Sequence, residues 1–378
     1  MRVTNASTYR NYTSQVNSVH LNLNKSLNKI SSGKAYEAAS DSPLSYYRGK
    51  EIDTQYREVL SKSKLLKNVQ NRLYQQELGA RDIQERLSTA RKEVIKARNA
   101  TTTDTAKKTI RDELLQLEHT MVNDLNSQYQ DFYVYGGNDV TTTPFELSSD
   151  GKTLTYRHKF PGESTAKEFI MKLTDENQDG NYAFKFDAAN STGTEAELIK
   201  AMSEQGFMDL GYGNIRDHST LLDTYTGGMN LLSGYTSDAI IESNGTITTN
   251  DIMKGLTDGP LGLVAQAVSA LDDYIDGKEI DPNEGHIANL GRVLDQMTEA
   301  EHKTSTVYSD LGNKSNLLDS LAEKLGNMED SLEEQYKDIL GADPYASILE
   351  MYGNQYAYNA ALQVGSKLMS NSLFDFVR

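Results

Sequence analysis

Apolar residues recur every seventh position along two stretches of the chain. The first reads Val59, Leu66, Leu73, Ala80, Leu87 and Val94, interleaved with Lys62, Val69, Gln76, Ile83, Ala90 and Ala97. One set is wholly apolar and the other mostly so, which predicts a coiled-coil seam with a few polar interruptions. A helix over residues 52–98 would be about 70 Å long at 1.5 Å per residue. Ile110, Leu114, Leu117, Met121 and Leu125 predict a second helix. The second stretch reads Met297, Thr304, Leu311, Leu318, Leu325, Leu332 and Ile339. Its partner positions are mixed: Leu294, Glu301, Tyr308, Ser315, Ala322, Glu329 and Tyr336. So narrow a stripe predicts a helix that packs against others rather than standing alone. Gly341 and Pro344 bracket a break, and a last helix carries Ile348, Leu349, Tyr352, Tyr356, Ala360 and Leu368.

The middle has another texture. Residues 140–251 are rich in Gly, Thr, Asn and Asp, with β-prone runs at 153–158, 169–173 and 182–186. Residues 175–181 read as the hairpin loop between the last two runs. Residues 261–276 return to helix, ended by Gly277. The expected fold is mainly α with a β-rich insert, its long antiparallel helical bundle or coiled coil built from both chain ends. Residues 51–139 and 256–339 are the expected bundle rod, 140–255 the β-containing outer insert, and 1–50 with 340–378 the terminal assembly helices.

Charge separates the termini from the rest. Residues 1–36 hold Arg2, Arg10, Lys25, Lys29 and Lys34 and no acidic residue, with Val16, Val19, Leu23, Leu27 and Ile30 at helical spacing. Between Tyr345 and Phe374 the only charges are Glu350 and Lys367. A polar face of Asn, Gln and Ser can be buried in an assembly at modest desolvation cost. Such short helices are marginal alone, so both ends are expected to be mobile in a monomer and ordered by neighbours. Leu373, Phe374 and Phe376 add an apolar cluster. The expected assembly interface is Val16, Val19, Leu23, Leu27, Ile30, Tyr352, Tyr356, Leu368, Leu373, Phe374 and Phe376.

The 378 residues carry 38 Lys and Arg against 54 Asp and Glu, a formal charge of −16, which argues against a nucleic-acid partner. There is no cysteine, so disulfides and thiolate chemistry play no part. The first 23 residues hold no apolar run, which predicts no cleaved secretory signal. No segment is long and apolar enough to cross a membrane, so no membrane partner is expected. None of the six histidines lies four residues from another, and no Gly-x-Ser-x-Gly or Gly-x-x-x-x-Gly-Lys motif occurs. Asp175-x-Asn177-x-Asp179-Gly180 matches the first half of a calcium loop, but Phe186 stands where the bidentate Glu belongs. A turn exploiting the φ/ψ tolerance of Asn, Asp and Gly is the better reading. The basic residues Arg81, Arg86, Arg91, Lys92, Lys96 and Arg98 alternate with Asp82, Glu85 and Glu93 and read as a solvated helix face. The 22 tyrosines read as packing and interface aromatics. No catalytic residue, cofactor or metal is expected.

Several passages resemble a known family. Leu27-Asn-Lys-Ile-Ser-Ser-Gly-Lys34 resembles the turn in the N-terminal helix of flagellins. Leu87-Ser-Thr-Ala-Arg-Lys-Glu-Val-Ile-Lys-Ala-Arg-Asn-Ala-Thr101 is similar to the helix-to-loop passage that follows it. Ala361-Leu-Gln-Val-Gly-Ser-Lys-Leu-Met-Ser-Asn-Ser-Leu-Phe374 resembles the terminal helix of the flagellin superfamily. Three details are similar to its hook–filament junction branch rather than to filament flagellins: Ala39-Ser-Asp-Ser-Pro-Leu44; Asp131-Phe-Tyr-Val-Tyr-Gly-Gly137 followed by Thr142-Thr-Pro-Phe145; and Leu373-Phe-Asp-Phe376. Ser42 departs by replacing an acidic residue, and Gly136-Gly137 by altering the glycine context. The resemblance spans roughly residues 1–138 and 285–378.

It implies that the two seams pair within one chain. It further implies a non-enzymatic, extracellular subunit of the bacterial flagellum, placed at the hook–filament junction. Such a subunit leaves the cell unfolded through the flagellar type III channel with an export chaperone. It self-assembles into a ring layer beside neighbouring hook-associated protein and flagellin subunits. A filament flagellin is the alternative within the class, and a cytoplasmic coiled-coil adaptor or binding module the alternative outside it. A secreted enzyme in the insert would need a catalytic constellation between 140 and 251, and none is found.

Overall fold

The computed structural model describes residues 5–36, 38–99, 102–176, 180–204, 206–209, 221–224, 227–277 and 286–374. The chain opens with α1 (Asn5–Ser32), α2 (Pro43–Arg98) and α3 (Asp104–Leu125), followed by the hairpin of β1 (Gln128–Tyr129) and β2 (Phe132–Tyr133). A four-stranded antiparallel sheet follows in chain order: β3 (Phe145–Leu147), β4 (Thr153–His158), β5 (Lys167–Thr174) and β6 (Ala183–Phe186). Then come α4 (Glu195–Ser203), a ribbon of β7 (Gly206–Asp209) and β8 (Leu221–Thr224), α5 (Gly228–Ser233), α6 (Ser237–Glu242) and α7 (Thr249–Thr257). The chain closes with α8 (Pro260–Ile275), α9 (His286–Leu340) and α10 (Pro344–Phe374). It divides into two compact units, Met1–Ser63 with Glu323–Arg378, and Lys64–Ala322.

In the Lys64–Ala322 unit the heptads are buried. Leu66, Val69, Leu73, Gln76, Ala80, Ile83, Leu87, Ala90, Val94 and Ala97 all lie in the interior. At the polar interruption Gln76 the side-chain amide donates to the Val134 carbonyl at 2.7 Å, and the Tyr135 hydroxyl donates to the Gln76 backbone carbonyl. Tyr135 fits because residue 79 is glycine, where a Cβ would lie 2.8 Å from the phenol oxygen. Met297, Thr304, Leu311 and Leu318 are buried on α9, while Glu301, Tyr308, Ser315 and Ala322 are half-buried. Gln70 bonds Asp319 at 2.9 Å and Arg91 lies 3.7 Å from Glu301, so α2 and α9 run antiparallel here. Helix α3 packs on α8, and the Arg86 guanidinium pairs with Asp124 on α3.

The sheet shares this unit's core. Leu154, Tyr156 and His158 face inward from β4, and Phe169, Met171 and Leu173 from β5. The three β-prone runs are β4, the core of β5, and β6 with its approach. In their connection the Asp175 carboxylate accepts from the Gly180 backbone N–H at 2.8 Å; Asn177 and Asp179 lie outside the described residues. Helix α8 ends at Ile275, with Gly277 in the left-handed region at φ +67°. The insert also contains helices where loops were expected. Thr194 with Glu197 and Thr248 with Asp251 form capping boxes that start α4 and α7.

In the Met1–Ser63 and Glu323–Arg378 unit, Ile52 and Val59 of α2 are buried, as are Leu325, Leu332 and Leu340 of α9. Gly49 lets the helices approach; a Cβ there would fall 2.2 Å from Leu340 Cδ1. Helix α1 packs along α10. The turns that follow α1 and α9 hold each other: Ala35 N–H donates to the Leu340 carbonyl at 2.7 Å, and Ala342 N–H to the Gly33 carbonyl at 2.9 Å. Gly33, at φ +68°, ends α1 as a left-handed cap.

Candidate assembly interface

Helix α10 turns its less apolar face inward, against the Val16, Val19 and Leu23 stripe of α1. On α10 the residues turned inward are Ser347, Met351, Asn354, Tyr358, Ala361 and Gly365, which are buried or half-buried. Their spacing of three and four makes one stripe, but it is mostly small or polar. The Asn354 amide donates to the Asn22 carbonyl at 3.3 Å and to Ser26 Oγ at 3.1 Å. The Tyr12 hydroxyl donates to the Ala361 carbonyl at 3.0 Å, beside Gly365, where a Cβ would lie 1.9 Å from that hydroxyl. Lys29 pairs with Glu350 at 3.0 Å, and the rings of His20 and Tyr358 lie 5.5 Å apart.

The opposite face of α10 carries Tyr345, Leu349, Tyr352 and Tyr356, again three and four apart, and it is open. Their exposures are 74%, 55%, 61% and 79%. Ile348, Leu362 and Val364 are exposed as well. The apolar stripe faces out and the polar stripe faces in, the reverse of a soluble amphipathic helix. An exposed apolar strip of this kind marks an interaction surface.

The residues that sequence reading assigned to assembly divide between these faces. Val16, Val19 and Leu23 are half-buried and share the stripe of Tyr12 and Ser26 that meets α10. Leu27 and Ile30 are exposed, as are Tyr352 and Tyr356. The side chains of Leu368, Leu373 and Phe374, and Phe376 altogether, lie outside the described residues. Sequence reading did not assign to assembly Tyr345 and Leu349, which begin the outward stripe. The segment 39–44 bends between α1 and α2, where Asp41 accepts from Lys25 at 3.0 Å. Of the basic stripe on α2, Arg86 and Arg91 are half-buried and also pair with Asp124 and Glu301.

Two buried ionisable groups lie elsewhere, in the Lys64–Ala322 unit. Glu118 on α3 is fully buried and neither carboxyl oxygen has a hydrogen-bond partner. Burial, reinforced by the Asp150 carboxylate, pushes its pKa well above the ordinary range. His158 on β4 is buried between Tyr156 and Phe160, its Nε2 3.6 Å from Glu204. Burial pulls its pKa down, against the opposing pull of Asp139 and Glu204. Among the described residues no group of three or more His, Asp or Glu is placed to hold a metal, and no helix is long and apolar enough to cross a membrane.

Residues 3–129 match the family model of the bacterial flagellin N-terminal helical region. Comparison with curated proteins finds no match. Among solved structures, a chain from Vibrio parahaemolyticus assigned as a flagellar hook-associated protein is 12% identical. The alignment covers 80% of this chain and 100% of that one, with a TM-score of 0.51, a likeness of fold. The flagellar hook-associated protein-3 of Legionella pneumophila is 13% identical over 77% of this chain and 98% of that one, with a TM-score of 0.38.

Proposed function

The chain belongs to the flagellin superfamily through its N-terminal helical region, and from that premise we propose that it is the subunit that joins the flagellar hook to its filament. The role is mechanical and no chemistry is catalysed. The observation that carries this reading is the inverted burial of α10. Tyr345, Leu349, Tyr352 and Tyr356 stand open on a helix whose inward seam is polar. Neighbouring subunits are the partners that cover this strip, burying apolar area worth about 1.5–3 kcal/mol per large side chain fully covered. The proposed interface residues are Leu27, Ile30, Tyr345, Leu349, Tyr352 and Tyr356, with Leu368, Leu373, Phe374 and Phe376 of the tail, while Val16, Val19 and Leu23 support them from the α1–α10 seam.

In this reading residues 1–50 and 340–378 form the inner layer of a ring. Residues 51–139 and 256–339 make lateral contacts, and 140–255 face outward. The neighbours are further copies, another hook-associated protein and flagellin. The chain reaches the cell exterior unfolded, through the flagellar type III channel with an export chaperone. The hook–filament junction is favoured over a filament by the three sequence passages at 39–44, 131–145 and 373–376, and by the fold it shares with a chain assigned as hook-associated.

The test is a deletion strain. It is expected to build hooks without filaments and to shed flagellin into the medium. The full chain restores swimming, and a chain truncated after Ser372 does not, although its purified form melts like the full chain. Restored swimming by the truncated chain would remove the tail from the interface and weaken the junction reading. A purified chain that grows long filaments by itself would instead make it a filament flagellin.

A further inference from the structure

The two longest helices carry opposite charge. Helix α2 has 13 Lys and Arg against 7 Asp and Glu, and α9 has 11 Asp and Glu against 5 Lys and Arg. Local pairs absorb part of this: Lys50 and Arg57 meet Asp53, Lys96 meets Glu93, Lys314 meets Asp310, and Lys337 meets Glu333. What remains is sorted by sign. In the Lys64–Ala322 unit, Lys64, Lys67 and Arg81 are exposed on α2, on the side away from the buried Leu66, Leu73 and Ala80. Lys64 and Lys67 make no ion pair among the described residues, and Arg81 reaches only Glu85, at 3.9 Å. In the other unit, Glu323, Asp330, Glu334 and Asp338 are exposed on α9, away from the buried Leu325 and Leu332. None of these four carboxylates makes an ion pair among the described residues. Asp330, Glu334 and Asp338 stand four apart, a like-charge spacing that weakens a helix by itself.

We propose that the acidic stripe of α9 in one copy docks on the basic face of α2 in a second copy of this chain. The inference rests on the assembly reading and names one of its lateral contacts. The stripes match in length: Glu323 to Asp338 spans about 22 Å and Lys64 to Arg81 about 26 Å at 1.5 Å per residue. They match in sign, and complementary faces of this kind fix register and partner choice. Exposed Tyr74 lies among the basic residues and supplies apolar contact in the same patch. The two faces differ, so the contact is heterologous. Each copy then offers one face to the copy before it and the other to the copy after it, which generates a ring or a helix rather than a two-fold dimer.

The experiment is a charge swap in the full chain, expressed in the deletion strain. One variant carries Lys64→Glu, Lys67→Glu and Arg81→Glu, a second carries Glu323→Lys, Asp330→Lys and Glu334→Lys, and a third carries all six. The first two are expected to lower the number of attached filaments at least tenfold and the third to restore it to within twofold. Purified samples of all three are expected to melt like the parent. A single-face variant that attaches filaments normally, or a six-fold variant that fails like the others, overturns the contact. Tyr352→Asp with Tyr356→Asp, run in parallel, tests the assembly reading separately. If that pair abolishes attachment and the swaps do nothing, assembly stands and this contact falls. The cysteine-free sequence permits a direct check. Chains with Lys67→Cys and chains with Asp330→Cys are expressed together, and isolated flagella are oxidised with copper–phenanthroline. A covalent dimer is expected from the mixture and from neither chain alone; its absence from the mixture also overturns the contact.

Discussion

The α1–α10 pair and the bundle around α2, α3, α8 and α9 are built from similar helices and solve opposite problems. In the Lys64–Ala322 unit the apolar positions are covered: Leu73, Leu87, Leu114, Met121 and Leu263 are at most 1% exposed. Between α1 and α10 the hydrogen bonds run through Tyr12, Ser26, Asn354 and Ala361, Val16, Val19 and Leu23 are only half-buried, and Tyr352 and Tyr356 remain open. The first arrangement is complete in one chain. The second is held by a half-buried seam and a few polar bonds, and α10 leaves its apolar stripe uncovered. Burial thus separates what the chain needs in order to fold from what it needs in order to assemble.

The sharpest way to break this contrast is to charge each seam. Leu73→Asp puts a carboxylate into the interior and should cost several kcal/mol, read as a large drop in the melting temperature by circular dichroism. Val19→Asp, on the half-buried α1 seam, should change that melt little. Equal losses would show that both seams fold the chain. Limited proteolysis sharpens the same point: residues 1–36 and about 345–378 should be trimmed from a monomer well before the bundle is cut.

Glu118 sets a smaller effect inside the bundle. Its folded pKa lies above the unfolded value, so the folded state holds the proton more tightly. Stability is therefore present at low pH and lost as pH rises past the ordinary carboxylate range. Glu118→Gln keeps a neutral group of similar shape. It should raise stability at pH 8, by about 1–3 kcal/mol on the scale of a buried unpaired group, and change little at pH 4. A variant gain independent of pH would place the benefit elsewhere.

His158 works in the other direction. Its folded pKa lies below the unfolded value, so protonation favours unfolding and stability falls as pH drops through the ordinary histidine range. The groups around it are Asp139, Glu204, Lys200 and the Tyr156 phenol. His158→Phe should flatten the pH dependence of melting between pH 7.5 and 5; an unchanged slope would assign it to another group. The smallest effect belongs to the open strip: Tyr356→Ser should alter monomer stability by less than about 0.5 kcal/mol, which a melt can check directly.

The long helices and the sheet were legible because their burial follows a simple period. Val59 through Val94 repeat by seven and all are buried; Thr153–His158 alternates and forms β4. The short helices of the insert were not, because α5 and α6 have six residues each and no period to detect. For α4 and α7 a signal did exist, in the Thr-x-x-Glu and Thr-x-x-Asp spacings at 194–197 and 248–251. The β1–β2 turn was hidden because Gln130 and Asp131 take positive φ without glycine. At the interface, an apolar stripe could be read on α10, but not that its polar side would be the one turned inward. Periodicity reports that a helix has two faces, and only the partner decides which is covered.

The bonds between the two helical turns, and between Tyr12 and Ala361 across 349 positions of sequence, also bear on folding order. Nearly the whole polypeptide must be present before the first helix can meet the last. Contacts this distant are closed late, after the entropy of a very long loop has been lost. The α2–α3 pair, whose Arg86–Asp124 bond spans 38 positions, can form first. A chain that emerges from its N-terminus onward therefore holds α1 waiting until α10 has followed it, so closure of this pair reports that everything between them has already been made.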